Sequence, residues 1–285
     1  ELASGAEVLT YYDHLMHRDF LPSGRVRYVP MSEYDPASDD IVSLTTGERT
    51  TIDAATLVDA SYMKVSVPSQ RPPSYAVADG VHCAPLNDLP NIARPADGYV
   101  VIGAGKTGAD ACLWLLKNGV DPDDIRWVMP RDSWYIDRAG IQPGQFFERT
   151  AERFIAQFRH IAESDSIADL FRRLESDGIL HRLTTDITPT MYRCSTITQA
   201  ELEQLRRIAN VTRLGRVQRI DATEMVLDGG TVPTTTSPAH IDCTADGLER
   251  RPAVPVFDGN RITLQTVRHC QQVFSAAFIA HCEVA

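Results

Sequence analysis

Apolar and polar positions follow two different periods along this chain, and the changes between them mark its secondary structure. Residues 4–20 carry apolar side chains at helical spacing behind Ser4, with Glu7 three positions later, which is typical of a capped amphipathic helix. Short extended runs follow, and the pattern predicts strands over residues 25–29, 41–44, 50–52 and 55–59. Thr46 and Gly47 predict a turn within this segment.

The middle of the chain changes from a proline-rich stretch to strong helical periodicity. Prolines in residues 68–98 predict a linker between domains, and residues 99–129 predict a β-α-β unit. Phenylalanine and aliphatic residues recur at helical spacing over residues 145–175, which indicates a core helix or an inserted helical segment covering a substrate pocket. A shorter helix is expected over residues 199–208.

Extended runs return in the last third of the chain. The predicted strands cover residues 214–220, 224–227, 231–233 and 240–244, with a turn at Asp228 and Gly229. An apolar helix is expected from Leu264 to about Cys282.

Two regions of the chain share one layout. Gly24-Arg25-Val26 and Gly215-Arg216-Val217 each open a predicted strand, which leads into a hairpin and a closing strand. The closing strands end in Asp59 and Asp242, and small residues follow both. Chance similarity is one explanation. The other is that the two regions belong to two halves of one architecture.

The sharpest motif lies between the strand predicted at residues 99–102 and the helix that follows. Gly103, Gly105 and Gly108 form G-x-G-x-x-G. In this context the first glycine permits a tight turn, the second lets the backbone approach a pyrophosphate, and the third allows close packing of helix on sheet. Lys106 and Thr107 imitate a Walker A ending, but Val100 stands where that motif needs glycine, so an NTPase is excluded. The motif predicts a dinucleotide site, with Lys106 either near a phosphate or solvated.

The end of the next predicted strand bears on the choice of cofactor. In NAD sites an acidic residue at this strand end binds the ribose 2′-hydroxyl, whereas arginine accommodates a 2′-phosphate. Here Arg131 precedes Asp132. This order favours NADP(H) over NAD, and an exposed surface position is the alternative for Arg131.

Composition excludes several classes of function. The net charge of −10 disfavours binding to nucleic acid or an anionic membrane, and the chain has no apolar run long enough to span a bilayer. The six cysteines form no C-x-x-C pair and indicate reduced thiols in the cytoplasm. Because His269 and His281 are twelve positions apart, no metal site is expected in the last helix. Packing roles are favoured for His82, Trp134 and Tyr135.

The glycine loop, the strand end at Arg131 and the repeated layout together resemble the two-dinucleotide-binding-domain flavoproteins. That family includes pyridine nucleotide–disulfide reductases and flavin-containing monooxygenases. The segment Asp242–Leu248 with Arg251 and Pro252 resembles its closing strand. The resemblance implies an α/β fold in which a Rossmann-like NAD(P)-binding domain is inserted in a partial FAD-binding Rossmann-like domain, with β-hairpin or meander elements.

The resemblance also implies domain limits and a second cofactor. Residues 1–95 would form the back end of the FAD domain and a linker, residues 96–247 the NAD(P) domain with a helical insert at about 140–210, and residues 248–285 the return to the FAD domain. FAD would lie near Val26, Ala60 and Ser61. The N-terminal FAD glycine loop is absent and is expected upstream of Glu1.

The function expected from this resemblance is hydride transfer from NADPH to FAD in an oxidoreductase, with monooxygenation among the reactions open to it and a small molecule as substrate. The C-x-x-C dithiol and the F-x-G-x-x-x-H-x-x-x-[YW] stretch are absent, so the substrate chemistry and the catalytic residues stay open. A non-catalytic NADP(H)-binding module, or an inactive fragment of such an enzyme, is the alternative. A flavin-free dehydrogenase is disfavoured because hairpins replace regular β-α-β repeats.

Overall fold

A computed structural model describes residues 3–63, 66–142, 144–245, 251–268 and 272–285. Parallel and antiparallel sheets combine with helices in an α/β fold. Over the described residues the α-helices are α1 (Gly5–His14), α2 (Lys106–Lys117), α3 (Phe147–Glu163), α4 (Ile167–Ser176), α5 (Gln199–Leu205) and α6 (Gln272–Val284). A π-helical segment, Leu15–Phe20, continues α1.

The strands in the described parts of the chain are short. They are β1 (Ser32–Asp35), β2 (Asp40–Ser43), β3 (Arg49–Thr51), β4 (Leu57–Asp59), β5 (Ala76–Val77), β6 (Cys83–Pro85), β7 (Tyr99–Ile102), β8 (Ile125–Val128), β9 (Ser133–Asp137), β10 (Leu180–His181), β11 (Met191–Ile197), β12 (Val211–Thr212), β13 (Val217–Ile220), β14 (Glu224–Leu227), β15 (Gly230–Pro233), β16 (Ala239–Asp242), β17 (Phe257–Asp258) and β18 (Arg261–Thr263).

The chain divides into two compact units, Glu1–Tyr62 with Val254–Gln265 and Met63–Ala253 with Thr266–Ala285. The first unit contains an antiparallel meander, β1-β2-β3, and a sheet of order β17-β18-β4 in which β4 and β18 run parallel. Among its described residues, Ile262 is the one apolar side chain that is buried. This unit therefore has little apolar core of its own.

The second unit is built on a five-stranded parallel sheet of order β12-β8-β7-β16-β6. Its central strand β7 is buried on both faces, as parallel strands covered on both sides usually are. Val101 packs in one core with Leu115 of α2, while Val100 and Ile102 pack with Ile220 on the opposite face. The meander β13-β14-β15 supplies that second layer.

A third sheet in the second unit has the order β10-β9-β11, and α3 and α4 accompany it. The sequence pattern did not predict β9, β10 or β11. It predicted one helix over residues 145–175, but the chain leaves helical geometry at Ser164, and Ser166 caps a second helix. The break separates α3 from α4.

Three further expectations are corrected by the structure. Residues 25–29 form no strand, because Val26, Tyr28 and Val29 are exposed and pair with no other described strand. The proline-rich stretch at 68–98 contains β6, an edge strand of the parallel sheet. The last helix begins at Gln272 rather than Leu264, whose N–H instead donates to the Asp59 carbonyl and extends the β4–β18 pairing.

The remaining expected elements are confirmed with shifted ends. The first helix carries its capping box, since Ser4 and Glu7 exchange hydrogen bonds. The predicted hairpin around Thr46 and Gly47 is the β2–β3 pair. The second region of the shared layout contains the expected strands, hairpin and closing strand β16, whereas the meander of the first region opens at β1 instead of at the strand predicted from Gly24, before the closing strand β4.

Candidate functional site

The glycine motif lies where the sequence predicted it, between β7 and α2. The loop leaves the carboxyl end of the central strand, and α2 begins at Lys106. The chain passes from β7 through α2 to β8 on one side, while β16 lies on the other side of β7. Ligands of open parallel sheets bind at such a reversal of strand order, outside the carboxyl ends.

Each glycine of the motif has a distinct environment. Gly103 has φ +135°, and a Cβ there would lie 2.7 Å from the carbonyl oxygen of Cys243. A Cβ on Gly108 would overlap the carbonyl oxygen of Gly103. In contrast, a Cβ on Gly105 would meet no atom within 4 Å. Two glycines are therefore required by packing, and the third leaves open space.

The amino end of α2 faces this open space without an anionic cap. Its N-cap residue, Gly105, has no side chain, and the first turn contains no acidic residue. The first N–H groups of a helix have no partner within it and carry partial positive charge. Lys106 pairs with Asp110 one turn along the helix, so its ammonium is held beside α2. The helix terminus can accept an anion from outside.

The carbonyl of Gly103 is fixed by a residue that the sequence did not single out. Nε1 of Trp127, on the neighbouring strand β8, donates to this oxygen at 2.8 Å, and the indole is fully buried. The hydrogen bond satisfies a carbonyl at the turn. A tryptophan in a strand next to a glycine loop is the only signal for it in the sequence.

Arg131 and Asp132 lie after the carboxyl end of β8 and differ in exposure. Arg131 is exposed. Asp132 is buried, and both of its carboxylate oxygens accept hydrogen bonds from Arg213, which follows β12. The carboxylate predicted for the cofactor site is therefore already bound by the Arg213 side chain of the same chain. Arg213 was missed because it lies 81 positions after Asp132, and the two meet only through the pairing of β12 with β8.

The ends of β16 and β4 show the same local geometry in the two units. Oδ1 of Asp242 accepts from the N–H and the hydroxyl of Thr244 at 3.0 and 2.6 Å. Oδ1 of Asp59 accepts from the N–H and the hydroxyl of Ser61 at 2.8 and 2.7 Å. The Ser61 hydroxyl and N–H, together with Arg261, lower the pKa of Asp59.

The residues expected near FAD all lie in the first unit. Ser61 is held by Asp59, Ala60 connects them, and Val26 lies in an exposed segment outside any strand. Among the other candidates, Trp134 and Tyr135 are buried in apolar cores and His82 is exposed. Asp246, Gly247 and Leu248, and likewise His269 and Cys270, lie outside the described residues.

The residues that the structure describes lack two kinds of feature. They contain no cluster of three or more His, Cys, Asp or Glu that could hold a metal ion. Within the same residues, none of the helices combines the length and the apolar character that crossing a bilayer requires.

Comparison with known proteins places the chain beside proteins whose activity is not established. No family model matches it. Uncharacterized proteins of Mycobacterium bovis and of two Mycobacterium tuberculosis strains are each 52% identical over 287 residues, which cover 100% of the chain and 53% of the relative. The chain thus spans about half the length of the curated relatives it matches.

One solved structure, L-lysine 6-monooxygenase from Pseudomonas syringae, matches with a TM-score of 0.36 and 13% identity. The match covers 85% of this chain and 64% of that protein. A likeness of this size does not bear on the activity of the chain.

Proposed function

We propose that this chain binds NADP(H) at the loop Gly103–Gly108. The observation that carries the proposal is the open space at Gly105 beside an uncapped helix terminus, while Gly103 and Gly108 are closed by packing. A pyrophosphate at this point would accept hydrogen bonds from the N–H groups of Lys106 and Thr107 and interact favourably with the helix dipole. The absence of a side chain at Gly105 lets the phosphate approach the backbone.

The preference for NADP(H) over NAD(H) rests on the pair of residues after β8. Arg131 is exposed and can bind a 2′-phosphate. Asp132 is buried with Arg213 and cannot reach a ribose hydroxyl without breaking that ion pair. Asp132, which would select NAD, is therefore buried in an ion pair. Arg131, which would select NADP, is accessible to a ligand.

The same proposal assigns the first unit to an FAD-binding domain, with Val26, Ala60 and Ser61 nearest the flavin nucleotide. Two observations support this assignment. The Asp59–Ser61 turn matches the Asp242–Thr244 turn at the end of a parallel strand. Few apolar side chains are buried among the described residues of the first unit, so burial of further apolar surface would stabilise it, and the relatives are about twice as long as this chain.

With both cofactors bound, the nicotinamide supplies a hydride that the flavin accepts. The protein contributes binding and alignment in this proposal. The α2 terminus and Arg131 hold the nicotinamide nucleotide, and the turn after β4 positions the segment near the flavin nucleotide. The function supported best is therefore that of an NADPH-dependent flavoprotein oxidoreductase acting on a small molecule.

Titration calorimetry of NADPH and NADH against the wild-type chain and Arg131→Ala tests the nucleotide site. We expect the substitution to weaken NADPH binding by roughly 1.5–3 kcal/mol, the worth of a charge-assisted hydrogen bond, and to leave NADH almost unchanged. Arg216→Ala, at another exposed arginine of the second unit, is the matched control and should change neither affinity. Equal weakening of NADPH and NADH in Arg131→Ala would remove Arg131 as the selector.

The flavin assignment is tested separately on the longest natural form of the protein. That protein should be purified yellow, and anaerobic NADPH should bleach its absorbance near the flavin maximum. NADPH binding without any flavin would instead support a non-catalytic NADP(H)-binding module. A colourless protein that does not bind NADPH would overturn both proposals.

A further inference from the structure

A cavity of about 380 Å³ lies in the second unit, away from the glycine loop. It is bounded by α3, by the end of β9 and by the turn that follows α4. The charged residues in its walls are Asp137, Arg149, Glu152, Arg153 and Asp177. None of them belongs to the proposed nucleotide site.

Helix α3 leaves large apolar side chains exposed, unlike an ordinary surface helix. Amphipathic helices bury their apolar side and expose the charged one. Here the buried residues of α3 are Thr150 and His160, whereas Phe158 and Ile155 are 68% and 60% exposed. Arg149, Glu152 and Arg153 of α3 line the cavity, while Ala156 of the same helix packs against the core that contains Trp134 and Leu180.

Arg153 is the central cation of this wall. Its Nη1 donates to the backbone carbonyl of Asp137 at 2.8 Å, and its aliphatic part covers Gly140, where a Cβ would lie 2.7 Å from Cδ of Arg153. This is the one hydrogen bond of Arg153 within the described part of the chain, although a guanidinium has five N–H donors. Burial lowers the pKa of Arg153. Arg149 stands one helical turn earlier in the same wall.

Two carboxylates line the cavity outside α3. Asp137 ends β9, and Asp177 follows α4, where it pairs with Nε2 of the buried His160 at 2.6 Å. In the described residues neither carboxylate lies within ion-pair distance of Arg149 or Arg153. Arg149 and Arg153 of α3 and the carboxylates of Asp137 and Asp177 thus line one cavity, without a direct ion pair between them in the described residues, and Glu152 adds a further carboxylate on α3.

We propose that this cavity binds a small zwitterion of the amino-acid class. Its carboxylate would bind Arg149 and Arg153, and its ammonium group would bind Asp137 and Asp177. Each end of such a ligand is opposite in charge to the side chains that it would bind, and the cavity volume falls within the usual range for small-molecule sites. The proposal does not depend on the nucleotide site.

Titration calorimetry tests it with glycine, L-alanine, L-glutamate and L-lysine as zwitterionic probes. Acetate and methylammonium serve as probes that carry only one of the two charges. At least one zwitterion should bind, and the single-charge probes should bind at least tenfold more weakly. Arg153→Gln and Asp177→Asn should each weaken zwitterion binding at least tenfold. The amide introduced by Asp177→Asn retains an oxygen that can accept from His160, so the fold at this position should be kept.

Arg172→Gln is the matched control, because the Arg172 side chain is 70% exposed on α4 and lies outside the cavity wall. Its zwitterion affinity should equal that of the wild type. Thermal unfolding of every variant shows whether it is folded, and a variant that is not folded is replaced by Arg149→Gln, whose side chain is exposed. Failure of all zwitterions to bind the wild type at millimolar concentration, or unchanged binding in the folded cavity variants, would overturn the proposal.

Discussion

Asp132 and Arg213 form a two-point ion pair between the ends of two neighbouring parallel strands. Nε of Arg213 lies 2.7 Å from Oδ2 of Asp132, and Nη2 lies 3.1 Å from Oδ1. The Asp132 side chain is 3% exposed and that of Arg213 is 27% exposed. The pair ties β8 to β12 and leaves Arg131 as the exposed charge at this strand end.

Breaking this pair should have unequal effects on stability. Arg213→Met leaves a buried carboxylate without a counter-ion and should lower the free energy of unfolding by about 3 kcal/mol or more. Asp132→Asn leaves an arginine that can reach water, so we expect about half that loss. Urea unfolding of both single variants and the double variant measures the coupling. Equal losses in the two single variants would contradict the buried position of Asp132.

Substitutions at two glycines of the loop should affect protein stability and NADPH affinity differently. Gly108→Ala places a Cβ against the Gly103 carbonyl and should cost about 1–3 kcal/mol in the free energy of unfolding. Gly105 has φ −83° and free space around it, so Gly105→Ala should cost only about 0.5–1 kcal/mol, the difference between glycine and alanine as N-cap residues. NADPH affinity should nevertheless fall in Gly105→Ala. Thermal unfolding and calorimetry on the same samples check both effects, and unchanged NADPH affinity in a folded Gly105→Ala would argue against a phosphate at this position.

His240 should make the stability of the second unit depend on pH. Its imidazole is fully buried between the Thr234 hydroxyl and the His82 carbonyl, and burial lowers the pKa of His240 from 6.5. Between the lowered pKa and 6.5 the unfolded chain binds more protons than the folded chain. This contribution to stability is therefore complete above pH 6.5 and is lost as the pH falls below it.

The measurement is urea unfolding of the wild type and His240→Gln from pH 5 to 8. The wild type should lose up to about 1.4 kcal/mol for each pH unit below 6.5 through this one group. His240→Gln should lack that component, although it is less stable overall. His281→Gln, at an exposed histidine of α6, is the control and should follow the wild type. Identical pH slopes for the wild type and His240→Gln would show that His240 does not titrate as expected.

Truncating an apolar side chain should lower the free energy of unfolding much less in α3 than in α4. Phe158 is 68% exposed, so Phe158→Ser should change the free energy of unfolding by less than about 0.5 kcal/mol. Leu174 is buried in the core under α4, and Leu174→Ala should cost about 2–5 kcal/mol. Denaturant unfolding compares the two variants. A large loss in Phe158→Ser would mean that this face of α3 is covered in solution.

The candidate nucleotide site was readable from the sequence because its main parts are local. A strand, three glycines at fixed spacing and the start of a helix lie within about ten residues, and the close approach of Gly108 to the Gly103 carbonyl falls within the same segment. Contacts between segments that are distant in sequence could not be predicted in this way. The indole of Trp127 on the Gly103 carbonyl and the guanidinium of Arg213 on Asp132 depend on which strands become neighbours.

Periodicity predicted which segments form helices but not which face of a helix is buried. The spacing of Phe147, Phe158 and Ile161 marks an amphipathic helix correctly, yet these side chains are exposed, and the buried residues of α3 are Thr150 and His160. The prediction of a strand at residues 25–29 was wrong for a related reason. A run of β-type residues becomes a strand only where another strand offers hydrogen-bond partners, and no described strand lies there.

By itself the sequence determined the glycine loop, the capping of α1, the β2–β3 hairpin, the meander β13-β14-β15 and the order Arg131-Asp132. These features depend on residues close together in the chain, through steric limits, local hydrogen bonds and period. Only the tertiary structure decided the strand order around β7, the withdrawal of Asp132 by Arg213 and the orientation of α3. Each of these depends on packing between segments far apart in sequence. The observed packing is the one with the lowest free energy among all the alternative pairings of those segments.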